Sequence, residues 1–131
     1  MAAKGALNGG LSRPRRLLSW FALLSLGAVA ALLLNGALFS AWMSGGPPNP
    51  YPQGWALRSL AFLVWSLAAA TGAAALFYAI RRASNLGRTL LIVCAICAAL
   101  AAAPFLAREV LIDQCLDGGG RWNAGGLVCE H

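Results

Sequence analysis

Acid is almost absent from this chain. Charged residues make up 11% of its 131 positions, and all four acids (Glu109, Asp113, Asp117, Glu130) fall in the last 23. Soluble domains carry about 25% charged residues. A chain with less than half of that and 60% hydrophobic residues belongs to the membrane class. Histidine occurs once, as His131, so a two-histidine metal site is excluded. No Asp, Glu, Lys or His lies inside the long apolar runs, which removes the usual parts of a proton relay or an ion-coupled transporter. A nucleophile–base pair, a phosphate-binding glycine loop and carboxylates paired across a cleft are missing as well. The sequence therefore predicts no catalytic residue, no cofactor and no metal. The formal charge of +6 is not a nucleic-acid footprint, because no basic face on a soluble fold is offered.

What is present is apolar length. Leu17 to Met43 is an almost uncharged run of 27 residues, more than the roughly 20 needed to cross a bilayer. It is also too long for the apolar core of a secretory signal peptide, about 7–15 residues. A Pro/Gly linker with four prolines follows (44–54), then a second span over 55–80 and a third over 89–107. Arg58, near the start of the second span, is expected to snorkel toward the headgroups. Pro104 is expected to loosen the last turn of the third span.

Charge sets the expected orientation. The tail 1–16 and the loop 81–88 carry seven bases (Lys4, Arg13, Arg15, Arg16, Arg81, Arg82, Arg88) and no acid. The other side carries Arg58, Arg108 and Arg121 against the four acids. The positive-inside rule places the basic side in the cytoplasm and, after three spans, the C-terminus outside. Trp20 and Tyr78 would mark the inner interface, and Trp42 and Trp55 the outer one.

Polar and small residues within the spans are candidates for helix packing. Asn35 is the strongest hydrogen-bonding side chain well inside a span, suited to bonding across helices within the protein or a homodimer. Small residues recur at four-residue spacing at Gly27/Ala31/Asn35, Gly36/Ser40, Ala68/Gly72 and Ala98/Ala102. Gly27, Asn35 and Gly72 are the packing positions chosen. Cys94 and Cys97 have the spacing of a redox pair, but at bilayer depth a thiolate is strongly disfavoured, so both are read as inert.

The one water-exposed unit is the tail, Asp113 to His131, reading DQCLDGGGRWNAGGLVCEH. If Cys115 and Cys129 pair, they close a loop of about 15 residues, which the chain-entropy model credits with roughly 3 kcal/mol. Such a pair implies an oxidising compartment. Gly119 and Gly120 can take positive φ or admit close backbone approach. Asn123 to Gly126 reads as a turn, and Leu127 and Val128 as strand. A zinc site from Cys115, Cys129, Asp117 and His131 is conceivable, but the spacing matches no closed structural site. Trp122 is expected to cover the disulfide and to be the tail's exposed aromatic anchor.

Cys115, Leu116, Asp117, Gly119, Gly120, Trp122, Asn123 and Cys129 together resemble an element of small Gram-negative envelope proteins. Its pattern is Cys-Leu-Asp-x-Gly-Gly-x-Trp-Asp/Asn-x5-Cys. Some proteins carrying it are immunity partners of secreted antibacterial toxins. An aromatic commonly follows the Asp/Asn in such loops, where this chain has Ala124.

The expectation is thus an all-α membrane protein with three transmembrane helices and a small disulfide-closed periplasmic tail. Its parts are a basic cytoplasmic tail (1–16), a three-span region (17–107) and a periplasmic disulfide loop (108–131), set in a bacterial inner membrane. The expected function is non-catalytic binding of a protein partner, with Asp117, Arg121, Trp122 and Asn123 as contact residues. The resemblance makes that partner a toxin; a larger membrane complex needing an accessory or assembly subunit is the alternative, and a small transport component a third. The lipid bilayer is a partner, nucleic acid is not, and homo-oligomerisation stays open.

Overall fold

A computed structural model describes residues 13–82 and 87–131. The expected basic tail up to position 12 and the loop positions 83–86 lie outside the described residues. Three helices follow in order: α1 (Arg13–Gly45), α2 (Pro52–Arg81) and α3 (Arg88–Asp117). Each is long and apolar enough to cross a bilayer. A two-stranded antiparallel hairpin, β1 (Arg121–Asn123) and β2 (Val128–Glu130), completes the chain.

The helices stand in a row with α2 in the middle: α1 packs on α2, and α2 packs on α3. The α1–α2 seam is made of small side chains. Ala30, Ala37 and Ser40 are buried on α1, and Ser66 and Ala73 on α2. Gly36 belongs to the same seam, where an added Cβ would meet the Phe62 ring at 3.5 Å. The buried Ser66 hydroxyl donates to the Ala30 carbonyl at 2.9 Å, joining the two backbones at mid-helix.

Asn35 and Gly27, expected at the packing positions, are exposed instead, and Gly72 meets nothing within 4 Å of its missing Cβ. Small volume, rather than hydrogen-bonding strength, decided the seam. Gly36 and Ser40, also noted for their spacing, do lie in it.

The linker is shorter than expected, because Pro52 begins α2 rather than ending the loop. Proline suits a first helical turn, where its missing N–H has no partner to lose. Asn49 organises what remains. Its Nδ2 donates to the carbonyls of Met43 (2.7 Å) and Pro47 (3.2 Å), and its Oδ1 accepts from the Tyr51 amide (3.1 Å).

The third helix departs most from expectation. It continues through Pro104 and ten residues past the expected end at Ala107, to Asp117. At 1.5 Å per residue that is about 15 Å of extra helix. Positions 108–117, expected to open the disulfide loop, are helical, and only 118–131 form the hairpin unit. Cys115 is the one buried residue of α3.

Candidate functional site

The hairpin and the ends of α2 and α3 form one assembly, built from the way α3 stops. The Gly120 amide donates to the Cys115 carbonyl and the Gly119 amide to the Leu116 carbonyl, each at 3.0 Å. Gly119 has φ +73°. These are the two bonds and the left-handed residue of a Schellman stop, which turns the chain back on the helix it has just left. Gly120 is required for a different reason: an added Cβ would collide with Cys129 Sγ and sit 2.9 Å from the His131 ring. Gly118, with φ −77°, needs no glycine.

Cys115 and Cys129 form the disulfide, with 5.5 Å between their Cα atoms. Both thiolates of the conceivable zinc site are therefore occupied in a covalent bond. Strand register places Trp122 opposite Cys129 and Asn123 opposite Val128. Asn123 Oδ1 accepts from the Gly125 and Gly126 amides, both at 3.0 Å, and its Nδ2 donates to Glu130 Oε1 at 2.6 Å. The turn is thus wound around the Asn123 side chain, and an aspartate oxygen would serve the two amides equally. Leu127, expected as strand, lies in the turn with φ +51°; β2 starts one residue later.

The tip of the hairpin docks on the start of α2. The Gly126 carbonyl lies against Gly54, leaving no room for a Cβ there, and a Cβ on Gly126 would stand 2.6 Å from the Tyr51 ring. Arg58 Nη2 donates to the Gly125 carbonyl at 2.8 Å, and Asn123 Nδ2 also reaches the Tyr51 hydroxyl at 3.3 Å. Arg58, expected only to snorkel, therefore anchors the hairpin, with its guanidinium 5.0 Å above the Trp55 ring. The α1–α2 connection and the C-terminal hairpin share one end of the row.

Beneath the hairpin a cleft of about 490 Å³ opens between α2 and α3. Trp122 and Leu127 roof it, and Trp65 and Phe105 meet in it as a tilted pair with centroids 5.4 Å apart. The Trp65 indole donates to the Ala101 carbonyl at 3.1 Å. Trp122 is half-buried, not the exposed anchor expected, and its buried Nε1 has no hydrogen-bond partner among the described residues. The ring turned inward because its apolar body fits the cleft beside Leu127. Trp20 and Trp42 are the more exposed indoles, at 45% and 62%.

The four expected contact residues divide accordingly. Asp117 and Arg121 are exposed, while Trp122 and Asn123 are engaged in holding the hairpin. Missed in the sequence were the exposed Asp113 and Glu109, which stand four residues apart with Asp117 and so share one face of α3. Leu116 (58% exposed) and Val110 (53%) lie beside that face. The i, i+4 spacing of the acids was the available signal.

At the opposite end, Trp20 and Phe77 meet edge to face at 5.4 Å, and the Arg81 guanidinium lies 4.4 Å from the Phe77 centroid. Cys94 and Cys97 are free thiols, and Cys97 Sγ lies 3.2 Å from Thr71 Oγ1. No group of three or more potential metal-ligating side chains occurs among the described residues. No protein-family model, no curated protein and no solved structure matches the chain.

Proposed function

We propose that this chain is a non-catalytic, multi-pass protein of a bacterial inner membrane that binds another protein on the periplasmic side. The observation that carries the reading is the rigid unit made by the far end of α3 and the disulfide-closed hairpin. It presents Glu109, Asp113 and Asp117 on one helical face with exposed Leu116 and Val110 beside them. A partner with a basic surface and an apolar patch suits it. The basic excess on the other side supports an N-in, C-out orientation. The tail's resemblance to the envelope element supports a narrower version, an immunity-type protein neutralising an envelope-directed toxin.

The internal roles of Gly119, Gly120, Trp122 and Asn123 sharpen that proposal. These motif positions hold the hairpin in shape, so specificity falls to the outward-facing Asp113, Asp117 and Arg121. A second reading, an accessory subunit of a larger membrane complex, is favoured by α3. None of its apolar window is buried, and of the other two helices it packs chiefly on α2.

The test is affinity capture from solubilised membranes through a tag after His131, first shown to be antibody-accessible in intact spheroplasts. Baits are wild type, Asp113→Lys/Asp117→Lys and a chain ending at Ile112. The charge-reversed bait should capture its partner at least about tenfold less well, and the truncated bait should not capture it. Equal capture by the truncated chain would move the contact surface to the spans and favour the accessory-subunit reading.

A further inference from the structure

The cleft under the hairpin has a chemistry that partner binding does not use. Its volume, about 490 Å³, lies within the range of small-molecule sites, about 300–1,000 Å³. Its walls are apolar, and among the described residues the only charged side chains lining it are Arg58 and Arg108, with no carboxylate. Two cations without an anion, at the end of an apolar slot, form a site for an amphiphile with a negative head. Arg58 is pre-positioned by the Gly125 carbonyl and the Trp55 ring, which lowers the ordering cost of a further hydrogen bond.

Leu60 and Phe105, on the two walls, are 58% and 60% exposed, so the slot is open along its side. With the three helices read as spans, that side faces hydrocarbon. The Trp65–Ala101 hydrogen bond bridges α2 and α3 at 3.1 Å. A partner helix, about 10–12 Å across with its side chains, does not fit between walls so joined, whereas an extended acyl chain does.

We propose that the α2–α3 cleft binds an anionic phospholipid. Its acyl chain lies along Trp65 and Phe105, and its phosphate is held by Arg58 and Arg108. Guanidinium groups suit this role because their planar N–H forks match phosphate oxygens. The proposal rests on the three-span reading and is independent of any protein partner.

The experiment uses the full chain in neutral detergent micelles, with tryptophan quenching by brominated phosphatidylglycerol compared with brominated phosphatidylcholine. Wild type should prefer the anionic lipid by about tenfold, as two charge-assisted contacts allow. Arg58→Gln/Arg108→Gln should lose that preference. Ala103→Phe, which fills the slot from α3, should weaken quenching by both lipids, while Arg82→Gln at the other end should change nothing. Amide exchange at Gly125 and Gly126 as slow as in wild type confirms that each variant keeps its hairpin docked. Equal quenching by the two lipids in wild type, an unchanged preference in the double variant, or an equal loss in Arg82→Gln overturns the proposal. Displacement of the brominated lipid by millimolar inorganic phosphate also overturns it, since the site would then read phosphate without the chain.

Discussion

Where α1 meets α2, small side chains bring two backbones together from Ala30 to Ser40 on one helix and at Ser66 and Ala73 on the other. Where α2 meets α3, the contact is made by large groups: a Trp65 indole on a backbone carbonyl, a tilted ring pair and a hairpin clamped across the ends. The first interface buries serines and alanines; the second borders an open-sided cleft of about 490 Å³. The difference lies in what each interface depends on. The α1–α2 seam is built from positions within the two helices, small residues along its middle and the Trp20–Phe77 and Phe39–Trp55 pairs toward its ends. The α2–α3 contact depends on a disulfide and a turn far away in sequence, so the two should fail separately.

The largest expected separation comes from Cys115→Ser/Cys129→Ser. Opening a loop of this size removes about 3 kcal/mol from the hairpin, or roughly a hundredfold in local amide protection over 118–131. Hydrogen exchange should show that loss while protection around Ala30 and Ser66 stays as in wild type. An equal loss at the seam would mean that the two interfaces are one cooperative unit.

Gly54→Ala sharpens the contrast from the other side of the clamp. Its methyl group would meet the Gly126 carbonyl, and overpacking of that kind costs about 1–3 kcal/mol. The expected result is an undocked hairpin whose disulfide is intact, read as increased exchange at Gly125 and Gly126 with α1–α2 unaffected. Ser66→Ala should be the mildest. Losing its bond to the Ala30 carbonyl costs about 0.6 kcal/mol and at most roughly 1.7. Unfolding in mixed micelles should show a small shift confined to α1–α2, with the hairpin unchanged.

The spans were legible because apolar length is a one-dimensional property: 17–43 and 55–80 fall inside α1 and α2. The continuation of α3 was not, since Arg108 to Asp117 breaks the apolar run with charges while keeping helical backbone. Gly118 to Gly120 marked the stop, and the hydrogen bonds identify which glycines matter. The disulfide was readable as a conditional pairing. Asn35 stands outside the α1–α2 seam, where the fit of Ser66 against the Ala30 carbonyl depends on a helix pairing that spacing does not specify. Trp122 could not be placed for a related reason. An indole is as suited to a cleft as to a surface, and the cleft exists only once α2 and α3 are side by side.

The hairpin's clamp has a consequence for the order of assembly during synthesis. The Ser66–Ala30 bond joins residues 36 apart, so α1 and α2 can close as soon as Arg81 is made. Arg58 and Gly125 are 67 apart, and Tyr51 and Asn123 are 72 apart. Those contacts wait until the hairpin has been made and for an oxidant to join Cys129 to Cys115. Because non-local contacts carry their loop-closure entropy before they return any stabilisation, α3 spends the interval tethered to a finished pair of helices. The hairpin is then the latch that sets its position.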